Sequence, residues 1–128
     1  MGDIDEKEKH TFLELQDKII DAHARSKTLT HQNMLKERGF KESMLITEEL
    51  KPMPDDTKTY RAVGRAYFCS PKSNILSQLE KDASQCKSDI EHLTTSRKVV
   101  EKELQEAEKN MREFLESSPA LAAKLVPG

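Results

Sequence analysis

Residues 59–69 read Thr-Tyr-Arg-Ala-Val-Gly-Arg-Ala-Tyr-Phe-Cys, and this stretch decides the fold of the chain. β-favouring side chains stand on both sides of Gly64, whereas the flanking segments are rich in Lys and Glu. A two-residue turn at Gly64 and Arg65 suits type II′, which takes Gly at its first position. The segment predicts a β-hairpin with these opposed pairs: Val63 with Ala66, Ala62 with Tyr67, Arg61 with Phe68, and Tyr60 with Cys69.

Two long segments without Gly or Pro flank the hairpin, residues 3–38 and 72–118. In the second segment, twelve positions from Leu76 to Phe114 recur at alternating spacings of three and four, and all but Arg97 are apolar. A stripe this narrow and this long is typical of a coiled-coil seam rather than of a helix on a globular core.

The first segment carries the same spacing more weakly. Phe12, Leu15, Ile19 and Ala22 are apolar, but the later half of the series is mixed. Because neither helix can bury its seam alone, we expect the two to fold back on each other. The predicted fold is mainly α, a long antiparallel two-helix coiled coil with a central β-hairpin.

The predicted boundaries follow from the same patterns and describe a single domain over residues 1–128. They are a helix over 5–45 with a break near 39, a loop and β-hairpin over 46–71, a helix over 72–117 and a flexible tail over 118–128.

The composition excludes several classes of function. The 128 residues hold 21 Lys and Arg against 23 Asp and Glu, and a net charge of −2 gives no basis for binding nucleic acid or an anionic membrane. The four His and two Cys lack metal-ligand spacing, and no nucleophilic constellation is present. The acidic N-terminal residues do not resemble a signal or transit peptide. We expect a cytosolic or nuclear protein that is not an enzyme and holds no metal or cofactor.

The hairpin poses a burial problem, because an isolated two-stranded hairpin is marginal in water and leaves unpaired edges. A thin helical coiled coil has little surface to cover it, so we expect hairpins of other chains to do so. The alternative is burial beneath the loop at residues 46–58. The residues predicted to mediate subunit assembly are Tyr60, Ala62, Val63, Gly64, Ala66, Tyr67 and Phe68.

This order of elements resembles the β-type subunits of prefoldin. The resemblance runs from about Phe12 to Leu115. It is carried by Phe12-Leu13-Glu14-Leu15-Gln16 with Lys18-Ile19-Ile20-Asp21, by Val63-Gly64-Arg65 with its flanking aromatics, by Ser77-Gln78-Leu79 and by Glu106-Ala107-Glu108-Lys109-Asn110-Met111-Arg112-Glu113. The tail from Pro119 to Gly128 has no counterpart in that pattern.

The resemblance implies a hexamer of two α-type and four β-type subunits, whose hairpins form β-barrels from which coiled coils project. It also implies that the hexamer binds unfolded actin and tubulin without ATP and passes them to the cytosolic chaperonin. The rival hypothesis is a structural coiled-coil adaptor that scaffolds one folded partner and has no use for an apolar hairpin.

In an antiparallel hairpin the two chain ends build the end of the coiled coil. Met and Phe suit adaptable binding of many sequences. The alternative is that these side chains are ordinary seam residues. The residues predicted to bind unfolded clients are Ile4, Phe12, Leu15, Met111, Phe114 and Leu115.

Overall fold

The structure, a computed structural model, describes residues 5–125, and the side chains of residues 5–123. Helix α1 spans Glu6–Leu50, strand β1 Thr59–Val63, strand β2 Ala66–Ser70, helix α2 Lys72–Ser117 and helix α3 Pro119–Leu125. Two long helices with a two-stranded antiparallel hairpin between them confirm the predicted fold class.

Helix α1 passes through Gly39 without the break predicted there, so that prediction is wrong. A single glycine costs an α-helix only about 1 kcal/mol relative to alanine, which the packing of a long helix readily offsets. The missing side chain also leaves room for α2, because a Cβ at position 39 would lie 3.3 Å from Cys86 Sγ.

Helix α1 also continues to Leu50, beyond the predicted end at residue 45. The Thr47 hydroxyl donates a hydrogen bond to the Ser43 carbonyl at 2.7 Å, and Leu50 is buried. The extra turn exists because Leu50 gains burial, a tertiary effect that the local β-branched and acidic residues do not reveal.

The predicted flexible tail is wrong for residues 119–125, which form α3. Proline cannot donate to the helical ladder and disfavours α geometry in the residue before it, so α2 ends at Ser117. The same proline suits the first position of a new helix, and Leu121 of that helix is only 2% exposed. Residues 126–128 lie outside the described residues.

The chain divides into two compact units, residues 31–94 and residues 1–30 together with 95–128. In the unit 31–94, Lys36 Nζ lies 3.0 Å from Asp89 Oδ2, and Gly39 lies beside Cys86. The hydrogen bond from Lys36 to Asp89 raises the pKa of Lys36. The same bond, with a second hydrogen bond from Gln85, lowers the pKa of Asp89. As the residue number rises along α1 from 36 to 39, the number of the partner on α2 falls from 89 to 86, so the helices are antiparallel in this unit.

The other unit shows the same antiparallel order. His23 Nε2 lies 3.9 Å from Glu108 Oε1, and Arg25 pairs with Glu103. Arg25 also pairs with Asp21 one turn earlier, at 2.9 Å. The hydrogen bond to Glu103 is the main cause that raises the pKa of Arg25.

The predicted seam of α2 is confirmed. All twelve positions from Leu76 to Phe114 are buried or half-buried, Arg97 included. The most enclosed apolar side chains of the two long helices are small or medium in size, because two helices alone cannot surround a large side chain. They are Ala22, Leu50, Ala83, Val100 and Ala107.

Candidate binding surfaces

The hairpin has the register that the sequence predicts. Val63 faces Ala66 across the turn, and the four remaining opposed pairs follow in order to Thr59 and Ser70. Gly64 has a φ of 62°, and Arg65 is not among the residues with positive φ. A type I′ turn needs positive φ at both central residues, so the turn fits type II′.

The hairpin is exposed on both faces. Tyr67 is 76% exposed, and Tyr60, Val63 and Phe68 are each more than half exposed. The other predicted assembly residues, Ala62, Gly64 and Ala66, are exposed as well. Burial beneath residues 46–58, the alternative considered above, is therefore wrong.

The exposed strands leave main-chain groups free to pair. The described part of the chain holds one two-stranded sheet, so β1 and β2 each have an unpaired outer edge. A tyrosine or phenylalanine that becomes buried removes about 150–250 Å² of surface from water. Edges and aromatics together suit the hairpin for pairing with strands of another chain.

A groove of about 470 Å³ runs beside the hairpin, with Ile46 of α1 on one wall and Ile75 and Leu79 of α2 on another. Tyr60 and Ala62 line the same groove. Ile46 is about half exposed, and its place on this surface was not predicted because residue 46 was expected to lie in a loop. The contribution of α1 enlarges the apolar surface that the hairpin presents.

Lys72 joins the base of the hairpin to the end of α1. Its side chain is only 7% exposed, and Nζ donates to the carbonyls of Lys51 at 2.9 Å and Met53 at 2.6 Å. Asp55 Oδ1 lies 3.4 Å away but is fully exposed, so this ion pair is weak. The ammonium satisfies carbonyls just beyond the C-terminus of α1, which lack helical partners. No sequence signal distinguishes this lysine from a surface one.

The residues predicted to bind clients are half-buried wherever they are described. Phe12 and Leu15 lie on α1, and Met111, Phe114 and Leu115 lie on α2. Ile4 lies outside the described residues. Partial burial means that these side chains contribute to helix packing and still offer apolar surface, so the two roles considered above are compatible.

The structure brings two of these residues together. Met111 and Leu115 line an apolar groove of about 630 Å³ with Ile19 of α1 and with Pro119 and Ala122 of α3. Phe12, Leu15 and Phe114 do not line it. The contribution of α3 was not predicted, because residues 118–128 were expected to be a flexible tail, although Ser118-Pro119 is a recognisable helix start.

The described residues hold no group of three or more His, Cys, Asp or Glu side chains placed to bind a metal ion. None of the helices in residues 5–125 is both long and apolar enough to cross a membrane.

Comparison with known proteins gives consistent matches. A family model described as "Prefoldin subunit" matches residues 14–118. Prefoldin subunit 1 of Arabidopsis thaliana is 31% identical over 122 residues, which cover 95% of this chain and 95% of that protein. Prefoldin subunit 1 of Homo sapiens is 33% identical over 107 residues, covering 84% and 88%.

A solved structure supports the fold. The crystal structure of the prefoldin beta subunit from Thermococcus strain KS-1 aligns with a TM-score of 0.71 over 90% of this chain and 97% of that chain. Sequence identity in this alignment is 16%, so it speaks for the fold alone.

Proposed function

The chain belongs to the prefoldin subunit family, and we propose that it is a β-type subunit, similar to subunit 1, of a hetero-hexameric co-chaperone. The observation that carries the proposal is the exposed aromatic hairpin in a chain whose helices already bury their own seam. Such a hairpin needs strands from neighbouring chains, whereas a scaffold built from the coiled coil alone does not.

In this proposal the hairpin joins those of α-type and β-type subunits into a β-barrel. The apolar residues Tyr60, Val63, Tyr67 and Phe68 become buried between subunits, and the edges of β1 and β2 are paired. The groove at Ile46 extends this contact onto the helices. Lys72 fixes the loop that precedes β1, so the hairpin is presented in one orientation.

Unfolded polypeptides, among them actin and tubulin, bind to apolar surface where the chain ends meet in the coiled coil. Phe12, Leu15, Met111, Phe114 and Leu115 supply that surface, together with Ile4. Each contact is weak, but several coiled coils in one particle raise the overall affinity by about 10²–10⁴ through effective concentration. Binding and release need no ATP, and the particle hands its client to the chaperonin in the cytoplasm.

Native mass spectrometry of the complex that co-purifies with this chain tests the assembly. We expect a particle of six small subunits that contains one copy of this chain. A homodimer, or a pair with one large folded protein, would contradict the proposal and favour the adaptor hypothesis.

Client binding is tested in the reconstituted hexamer with Met111→Gln and Leu115→Gln in this chain. Both changes keep side-chain size while making the groove polar, and we expect capture of urea-unfolded actin to weaken roughly threefold to tenfold. Leu35→Gln is the matched control, because Leu35 is 47% exposed and lies outside this surface. Equal effects of the variants and the control would argue against a client site at this groove.

A further inference from the structure

Helix α3 belongs to the same compact unit as the described residues proposed to bind clients. Only Ser118 separates it from α2, and that residue is 6% exposed. Leu121, in the first turn of α3, is 2% exposed, less than the side chains at the seam of α2. A seven-residue helix cannot enclose its own leucine, so the rest of this unit must cover Leu121.

This contact is what holds α3 in helical form. Isolated helices shorter than about 12–15 residues are marginal in water. The seven residues of α3 are therefore stable as a helix only while docked. The serine before Pro119 is a favourable helix start, but it cannot by itself stabilise so short a helix.

The docked helix borders apolar surface that lies outside the seam. Leu115 lies outside the seam positions of α2, yet it is half-buried. It shares the groove with Met111 and with Pro119 and Ala122 of α3. An unfolded chain that contacts Leu115 over its full side chain must therefore displace α3 or bind beside it.

We propose that α3 is a reversible cap, which competes with unfolded polypeptides for the apolar surface of Met111 and Leu115. The inference rests on the proposed function, and it adds a regulation of the same site. When α3 is docked, the groove is narrowed and the free particle exposes less apolar surface. When α3 undocks, it loses its helical form and leaves Leu115 open to the client.

The apparent affinity for a client equals the affinity of the undocked form multiplied by the fraction of time that α3 is undocked. If α3 is docked about nine-tenths of the time, releasing it strengthens capture about tenfold. The cost of this arrangement is a lower affinity, and its benefit is protection of the free particle from self-association through exposed apolar side chains.

The test uses the reconstituted hexamer with Leu121→Asp in this chain, which places a charge on the buried face of α3. Ala123→Asp is the matched control, because Ala123 lies on the same helix and is exposed. A chain that ends at Ser118 serves as a second variant and removes α3 altogether. Hydrogen exchange of residues 108–117 without client measures docking, and binding of a fluorescent, reduced and carboxymethylated α-lactalbumin measures capture.

We expect Leu121→Asp and the shortened chain to speed exchange in residues 108–117 and to strengthen capture about tenfold, while Ala123→Asp changes neither. Unchanged exchange in both variants would show that α3 does not cap this surface. Faster exchange with weaker capture would overturn the competition, because α3 would then be part of the client surface. If the unmodified hexamer does not capture the probe at all, the proposed function is refuted, and the proposed competition is refuted with it. The exchange data would still report whether α3 docks.

Discussion

The helix pair and the hairpin differ in how far their apolar side chains are exposed. Along α2, all twelve seam positions are buried or half-buried by contacts within the chain. Along β1 and β2, Tyr60, Val63, Tyr67 and Phe68 are each more than half exposed. The helices therefore bury their seam within one chain, whereas the hairpin leaves its large apolar side chains exposed. Changes in the hairpin should alter assembly without altering the fold, and changes in the helices should do the reverse.

The largest effect is expected from Tyr67→Asp combined with Phe68→Asp. Charges on both faces of β2 cannot be buried between subunits without a large desolvation cost, so we expect the chain to leave the hexamer entirely. Circular dichroism should show unchanged helix content, and size-exclusion chromatography with the other subunits should show no co-elution. Val99→Asp is the control, because Val99 is 51% exposed on α2. Retention of the double variant in the hexamer would contradict the hairpin's role.

Lys72→Met tests the junction between the two regions. Its ammonium donates to two main-chain carbonyls while nearly buried, so the gain of about 1.5–3 kcal/mol from each charged hydrogen bond is partly offset by the cost of burying the charge. We expect the free energy of unfolding in urea to fall by about 1.5–3 kcal/mol. Lys58→Met should change it by less than about 0.5 kcal/mol, because Lys58 is exposed and lies in the connection between α1 and β1. Equal losses in both variants would refute a special role of Lys72.

Gly39→Ala tests how closely the helices approach each other. Alanine favours the helix by about 1 kcal/mol, but its Cβ would lie 3.3 Å from Cys86 Sγ. We expect the substitution to be nearly neutral in the unmodified chain and stabilising by about 1 kcal/mol in a Cys86→Ala background. Urea unfolding of the four proteins in this double-mutant cycle measures the coupling. Equal effects in the two backgrounds would show that the close approach of Cys86 does not limit the stabilisation gained by alanine at position 39.

The smallest effect is expected at Asp89, whose pKa is lowered chiefly by the hydrogen bond with Lys36. Because the folded pKa lies below the unfolded one, the pair stabilises the fold above about pH 4 and loses this contribution as the pH falls through the folded pKa. Asp89→Asn should therefore lower the melting temperature slightly at pH 7 and leave it unchanged near pH 2. Asp82→Asn controls for the loss of the hydrogen bond between Gln85 and Asp89, because Asp82 accepts a similar hydrogen bond from Gln78. A loss that persists at pH 2 would mean that the carboxylate's charge is not its cause.

Much of the fold follows from the sequence because it is encoded in local or periodic patterns. Gly64 between β-favouring residues specifies the turn, and the turn specifies the strand register. The spacing of three and four along α2 specifies which side chains face the seam. Both depend only on neighbours within a few residues or on the helical period.

Other features were decided only by the tertiary structure. Gly39 stays within α1 because α2 lies close beside it, and Leu50 extends the helix because it is buried there. Lys72 is buried because carbonyls at the end of α1 surround its ammonium, and α3 forms because Leu121 finds a surface to cover it. For Gly39 and Lys72 the partners are distant in sequence, so no local pattern predicts the contact. The sequence by itself therefore determined the elements and the seam, and the tertiary contacts determined where the elements end and what they cover.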